Sequence, residues 1–541
     1  MIRKPRHVVA LIVLCLLMIP LLGLFRYDMN LSVEGRTYAQ DYYNSRPLSP
    51  ASKVEDATAH LSSSFIADEA FSSNLPLVVL NFEEDVPLTV TVTSDGNLAR
   101  TGADPWVNGM LEIYDRTDGI ENSVSSGPSS ITHVRFSRLG LSAQLQAKPQ
   151  YLLRTVNSTG QDQPVSFFDM SSGTSWVLRG SIADKSMIRN YLVYRVAAQI
   201  MEWSPRSQFC EVLIRRNNTL EYEGVYLLCE DVERGVNRVN IREVVPEKKN
   251  ITPGYLVRRD RFDPKETVLS TYAHENRLDH EYLILQSPVQ EEQTEQVISS
   301  VEADLSAFEK ILYSSSRSRF QKYAEFIDTT SFADYFLVNE FFGNADAGLH
   351  ETYMYKSSWG KLKMGPVSEF DQAMNNSYVD ESSPDSMTMQ DRDYFSRLVT
   401  DGDFLQKLTN RYVELRAHYL NDNYVFAAID EAVAHLRSAQ KRDWMRWSNN
   451  YTDAKGKKAG SYVLGSAYMD GVLVDRYNDD YDQEVYTIKA YLSRHGRYIT
   501  TRLNGMLAAY TMANRQKGGN AILFVVCLIF FLIPSILINR R

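Results

Sequence analysis

Asn339–Asp371 reads NEFFGNADAGLHETYMYKSSWGKLKMGPVSEFD. The upstream run YFLVNEFF has the apolar density of a buried helix end, and Asp346 follows directly after it. Tyr353-Met354-Tyr355 and Lys361-Leu362-Lys363-Met364 alternate in polarity around Ser357-Ser358-Trp359-Gly360, which predicts two short strands joined by a turn. Glu369-Phe370-Asp371 comes after the second strand. The segment therefore predicts one acid just beyond a helix and two more at the end of a hairpin.

That placement suits phosphoryl transfer. One carboxylate orients a nucleophilic hydroxyl, while another, on a separate element, holds the Mg²⁺ that bridges the phosphates. Five residues beyond Asp346 stands Glu351, a fourth carboxylate able to ligate a hard cation. Acids at loop ends are more often solvated or act as helix caps, so spacing alone does not decide the chemistry.

Working outward, the chain has 541 residues, 44 % of them hydrophobic and 11 % aromatic, enough for a large core and unlike a disordered protein. Its net charge of −9, with no basic stripe interleaved with aromatics, argues against nucleic acid as a partner. The nine histidines are scattered and no Cys/His cluster has zinc spacing. Both ends are apolar: Val8–Phe25 follows Arg3, Lys4 and Arg6, and Ala521–Ile538 precedes Arg540-Arg541. Each is about the minimum for a membrane span, and the flanking basic residues put both tips in the cytoplasm. The expected topology is a two-pass cell-membrane protein, embedded at both ends, with a large extracytoplasmic centre. Cys15 and Cys527 lie in those spans; Cys210 and Cys229 fall on two strands whose register Asn217-Asn218 does not set, so no disulfide is predicted.

Five regions follow: 1–27, a cytoplasmic tip and first span; 28–70, a Ser-, Asp- and Ala-rich juxtamembrane stalk; 71–232, β-rich; 233–515, mainly helical; and 516–541, the second span. Strands begin at LPLVVLNF from Leu75 and continue through THVRFSRLGLSAQL, KPQYLLRTV and Trp176–Arg179. Asp184 opens a helix whose stripe is Ile188, Leu192, Val196 and Ile200. Helical periodicity recurs over Val297–Tyr313, Phe332–Phe342, Phe404–Tyr419, Tyr424–Trp447 and Glu484–Tyr510. The resulting fold class is α+β, two-lobed, with a cleft between the lobes.

SWVLRGSIADKSMIRNYLVYRVA, EGVYLLCEDV, NADAG with EFDQA, and NRYVELRAHYLNDNYVFAAIDEAVAHLRSAQKRDWMRW together resemble the CotH family, spore-coat protein H and its relatives. The similarity covers roughly residues 71–510. It implies an atypical protein-kinase-like fold, with a β-rich N-lobe carrying one helix and a mainly helical C-lobe, here flanked by two transmembrane helices. It further implies ATP and Mg as cofactors. Lys148, in AKPQY, would contact the nucleotide phosphates and take part in catalysis; Gly140 and Ser142, in RLGLS, would form the turn beside them. Glu230 would mark the hinge where backbone groups meet adenine. Asp346 would orient the substrate hydroxyl, and Asp371, with Glu369 and Glu351, would bind the metal. The family's pattern is departed from at Leu139, Pro149, Glu351 and Ser368.

The implied activity is transfer of the ATP γ-phosphate to a Ser or Thr hydroxyl of a protein by a membrane-anchored enzyme. The four departures motivate a second reading, a catalytically inactive kinase-like surface module that organises an envelope or spore coat, or acts in adhesion, through an envelope or coat protein partner. A polymer-acting hydrolase with paired carboxylates ranks third, because it leaves Lys148 and the Gly140 turn unexplained.

Overall fold

The computed structural model describes residues 42–43, 48, 58–94, 98–101, 105–116, 121–180, 182–241, 252–376, 383–451 and 480–538, with backbone only for 448–451 and 514–538. Seven strands carry the first half: β1 (Leu77–Phe82), β2 (Val107–Tyr114), β3 (Ser130–Arg138), β4 (Tyr151–Thr155), β5 (Ser175–Arg179), β6 (Ser207–Arg216) and β7 (Thr219–Glu230). Their hydrogen-bonded order is β7-β5-β4-β3-β2-β1-β6, and β6 pairs again with β7, so the sheet closes on itself. All contacts in the ring are antiparallel except β1 with β6, where Leu77 faces Glu211 and Leu80 faces Ile214 in parallel register. Closure leaves the ring without the two open edges of a flat sheet.

This corrects the expected two-lobed kinase-like plan: the first half is a closed seven-stranded barrel. Alternation foretells strands, but closure depends on a pairing between segments more than a hundred residues apart, which no local pattern encodes. A second correction concerns the membrane. Among the described residues no helix is long and apolar enough to cross one, so neither the two flanking spans nor the two-pass placement is supported. Val8–Phe25 lies outside the described residues, as do the side chains of Ala521–Ile538.

Strands β6 and β7 are buried almost throughout, because both of their faces are covered. One helix, α1 (Arg189–Ala197), has all but one of its residues buried and starts five residues later than the Asp184 that the sequence predicts. Asp184 instead precedes it, accepting from the Ser186 and Arg189 backbone N–H groups at 3.1 and 3.0 Å. The second half holds a four-stranded sheet, ordered β9-β8-β10-β11, from β8 (Tyr255–Asp260), β9 (Tyr282–Ser287), β10 (Thr352–Lys356) and β11 (Lys363–Met364). The same half holds α2 (Glu295–Leu312), α3 (Thr329–Phe341), α4 (Asp393–Leu398), α5 (Gly402–His418), α6 (Asp422–Tyr451) and α7 (Tyr481–Ile538). One apolar cluster runs from Val78 in the barrel wall through Phe336 of α3 to Leu503 of α7. Cys210 and Cys229 are buried and free: Cys210 faces Tyr226 and Cys229 faces Ser207, so the register sets them apart.

Helix α6 lies along β7 and grips it at an irregularity. The β6–β7 register slips between Val212 and Leu213, and the residue facing Val212 is Gly224, at φ +118°. That conformation is open to glycine and strained for other residues. A Cβ there would be driven into the Asp443 carboxylate of α6. Gly224→Ala is therefore expected to cost ~2 kcal/mol or more in urea unfolding. Gly505→Ala, whose Cβ would meet nothing within 4 Å on helix α7, should leave stability unchanged or raise it by up to ~1 kcal/mol. Equal unfolding midpoints for the wild type and the Gly224 variant would refute this account of the bulge.

Candidate active site: an acidic cleft beside the barrel

A cleft of about 610 Å³ collects residues from both halves, with Gly140, Ser142 and Arg179 on the barrel side and Asp346, Glu351 and Glu369 opposite them. Gly140 stands at φ +73° between β3 and the short 3₁₀ turn Ser142–Leu145, and the Gln144 amide donates to its carbonyl at 2.8 Å. Asp346 sits in the turn after α3. Its carbonyl accepts from the Leu349 and His350 N–H groups, and its own N–H donates to Asn344 Oδ1 at 3.2 Å. The Asn344 side-chain amide donates to the Glu369 carbonyl at 3.1 Å, tying the Asp346 turn to the second acidic segment.

The 368–373 segment is held from behind by α1. Tyr194 donates its hydroxyl to the Ser368 carbonyl at 2.6 Å, Asn190 Oδ1 accepts from the Phe370 N–H at 2.7 Å, and Arg189 Nε donates to the Ala373 carbonyl at 3.0 Å. In front, Arg179 at the end of β5 pairs with Glu369 at 2.9 Å and comes within 3.7 Å of Glu351. Glu351 adopts φ +43° and accepts the Ser368 hydroxyl at 2.6 Å.

Crowding of carboxylates sets the electrostatics. Burial pushes the Asp346 carboxyl up to about 6; Arg261 opposes this, while the charges of Asp371 and Glu351 add to it. Glu369 is pushed well above the usual carboxylate range by burial and by Asp371, with Arg179 only partly offsetting them. Burial, with Arg261 and Arg392 beside it, lowers His350 to about 3, so that ring is neutral at pH 7. Among the described residues no group of three or more ligating side chains is already arranged around one metal position. The donor chemistry nevertheless fits a hard divalent cation: oxygen ligands only, crowded, and short of positive charge. Glu369 and Glu351, with Asp371 next to Glu369, are the residues that would share it.

Not every expected site residue lines this cleft. Lys148 is buried, its ammonium donating to the Val225 carbonyl at 2.8 Å and to Asp443 Oδ2 at 2.5 Å, over the ring of Tyr226. It borders a narrow space of about 20 Å³ shared with Asp184, Asn190 and Arg179. Arg179 thus lies on both the cleft and the Lys148 side. Glu230 is buried and clasped by Arg206 through its backbone N–H, Nε and Nη2, and its own N–H donates to the Arg206 carbonyl at 3.0 Å. Asp371 is buried and does not line the cleft, and its charge raises the Glu369 carboxyl. Sequence reasoning missed Arg179, Tyr194 and Asp443 and left Arg189 and Asn190 without a role. All five stand in the SWVLRGSIADK…YLVYRVA and QKRDWMRW stretches, where an Arg closing an apolar strand and an Asp inside an otherwise basic helix segment were the available signals.

A family model described as CotH kinase protein matches residues 140–499. No curated protein matches the chain.

Two outcomes follow from this geometry. A carboxyl raised in the fold stabilises the protein below its unfolded pKa and loses that contribution as pH climbs through the folded value. Asp346 therefore weakens the fold progressively between about pH 4 and about pH 6. Asp346→Asn should gain stability over the wild type across that window, by at most ~3 kcal/mol at pH 7, and match it at pH 4. A pH-independent difference in urea unfolding would contradict this. Lys148→Met strands a buried carboxylate and should cost ~3–5 kcal/mol, with Lys148→Met/Asp443→Asn costing clearly less than the sum of the two single changes. Strict additivity in the double-mutant cycle would show that the pair carries no coupling.

Proposed function

The chain belongs to the CotH kinase protein family, and on that premise we propose that it transfers the γ-phosphate of ATP to a Ser or Thr hydroxyl of a protein, in the cleft between the barrel and the helical half. The observation that carries this reading is the convergence, across one cavity, of the Gly140–Ser142 turn and the Asp346–Glu351–Glu369 acids from separate elements. Asp346, with a carboxyl pushed up to about 6, is suited to accept a hydroxyl proton near neutral pH. Its turn, tied through Asn344 to the Glu369 segment, keeps it beside the metal-ligand candidates. A divalent cation on Glu369 and Glu351 would supply charge for the phosphates. Gly140, at φ +73°, lets the backbone approach a phosphate closely, and Ser142 offers a hydroxyl beside it.

In this reading Lys148 serves the phosphates from the inner end of the space it shares with Arg179, and Asp443 positions it. Glu230 braces β6 against β7 through Arg206, and any hinge contact there falls to the backbone that follows it. One set of observations favours the alternative of a catalytically silent protein-binding module: the Lys148 ammonium and the Glu230 carboxylate are both committed to internal ion pairs.

Incubation of the full chain with radiolabelled ATP and Mg²⁺ or Mn²⁺ should label the protein itself or a generic acceptor, and Asp346→Ala should lower the rate by about 10²–10⁴-fold. Mg-ATP at a hundred times its dissociation constant should add ~2.7 kcal/mol of stability. Nucleotide stabilisation without transfer would favour the silent module. No stabilisation at millimolar nucleotide would sink the ATP reading altogether.

A further inference from the structure

Glu351 and Glu369, the two acids on the cleft that would share a divalent cation, already have a positive charge between them. It is the guanidinium of Arg179, with Nη1 2.9 Å from Glu369 Oε1 and Nη2 3.7 Å from Glu351 Oε2. Arg179 closes β5 of the barrel and the acids belong to the helical half, so the contact crosses the cleft.

The hold is loose. Nη1 has no hydrogen-bond partner among the described residues although Glu369 is close, and the Glu351 contact is too long for a hydrogen bond. Arginines that bind the fold together here are held differently. Arg206 donates Nε and Nη2 to the two oxygens of Glu230, and Arg189 donates to Asp184, Glu484 and the Ala373 carbonyl. Charge without aligned donors gives up the added strength of a bidentate pair. The side chains of Glu351 and Glu369 are 26 % and 23 % exposed, so an ion arriving from solvent can reach both.

A hard dication takes carboxylate oxygens at ~2.0–2.6 Å, which would put it within about 6 Å of the guanidinium nitrogens. Two cations that close repel one another, with little water between them because the Arg179 side chain is only 8 % exposed. Pairing with β4 and β7 fixes the backbone of β5, so Arg179 can yield only by turning its side chain. The cleft of about 610 Å³ that it lines gives it room to do so.

We propose, resting on the metal-assisted reading of the same cleft, that Arg179 is a place-holding cation that competes with the divalent metal for Glu351 and Glu369. It sets the metal affinity of the cleft and lets go of both acids when the metal binds. Metal binding thereby unfastens the end of β5 from the acidic segment.

Mn²⁺ titrated into the full chain without nucleotide, the free ion counted by electron paramagnetic resonance, tests this. Arg179→Gln should bind Mn²⁺ at least tenfold more tightly than the wild type. Arg154→Gln, which removes the same charge from a cleft arginine that pairs with Asp162 instead, should stay within threefold of it. Adding Glu351→Gln and Glu369→Gln to Arg179→Gln should erase the gain. If Arg179→Gln does not fold, Arg179→Lys takes its place: one ammonium cannot span both acids, so binding should still tighten at least threefold. An Arg179 variant that binds no more tightly than the wild type overturns the proposal. Equal tightening in Arg154→Gln does the same, as does a gain that survives loss of both glutamates. Neither nucleotide nor transfer enters these readings, so any of those results leaves phosphoryl transfer to its own test. Absence of Mn²⁺ binding at millimolar ion, in wild type and variant alike, would sink the metal-assisted reading and this competition together.

Discussion

The buried guanidinium of Arg189 joins the parts of this protein that have to stay together for the cleft to exist. It is 1 % exposed and donates to Asp184 at 2.5 Å, to Glu484 of α7 at 2.9 Å and to the Ala373 carbonyl at 3.0 Å. Those partners belong to the loop leaving the barrel, the last helix and the acidic segment. A charge taken out of water is tolerated only when its donors are met on all sides, and the flat fork of Arg meets three separate segments where the single ammonium of Lys could not. The last helix is thereby fastened to the core at its first turn, which Tyr481 reinforces with a hydroxyl bond to the Ser186 carbonyl at 3.1 Å. Withdrawing Glu484 would strand a buried cation next to the segment that carries Asp371. The first turn of the last helix and the acidic segment are thus held by one guanidinium.

Within the cleft the balance runs the other way. The acids are more crowded than their cations can offset: Glu369 stays raised despite Arg179 at 2.9 Å, and Asp346 stays raised despite Arg261. Some buried acids elsewhere are matched closely, as with Glu211 under Arg442 and Asp393 under Arg259. Other buried acids, such as Glu309, are raised by burial alone; in the cleft the charges of neighbouring carboxylates add to it. Uncompensated carboxylates at a cavity are where a cationic species gains most, and where a carboxyl holds a proton close to neutral pH.

The legible part of this structure was the part governed by local periodicity. The helices expected at Val297–Tyr313, Phe404–Tyr419 and Tyr424–Trp447 appear as α2, α5 and α6 with ends shifted by a few residues, and Met354 faces Met364 in the hairpin read from alternation. The family resemblance was legible for the same reason, since it rests on contiguous stretches. Barrel closure was not, because Leu77 meets Glu211 only after the intervening strands have folded around. The start of α1 was misplaced because Asp184 shows the signature of a cap, while its carboxylate serves the Ser186 turn and the Arg189 guanidinium instead. The ends of the chain look like membrane spans by hydropathy alone, yet the described helices do not provide one. Pairings such as Lys148 with Asp443, 295 residues apart, lie beyond any reading of spacing.

That last pair also decides how Lys148 should be understood. Asp443 Oδ2 accepts from the ammonium and, at 2.7 Å, from the Val225 N–H, so the carboxylate keeps a partner even when the lysine turns away. Its neighbours anchor the same turn of α6 independently: Arg442 pairs with Glu211, Arg446 Nε donates to the Tyr222 carbonyl, and Trp447 Nε1 donates to the Glu223 carbonyl. The helix is therefore seated on β7 by Asp443, Arg446 and Trp447 and on β6 by Arg442, independently of the lysine. Lys148 sits against this rigid seat, with Arg179 across a narrow space and the acids beyond it. An ammonium held by a fixed acid is confined to a small arc, and within that arc the carboxylate behind it and any anion before it compete for the same three protons. Asp443 restricts where Lys148 can reach, and Gly224, by leaving room for that carboxylate, is what allows the restriction to be built.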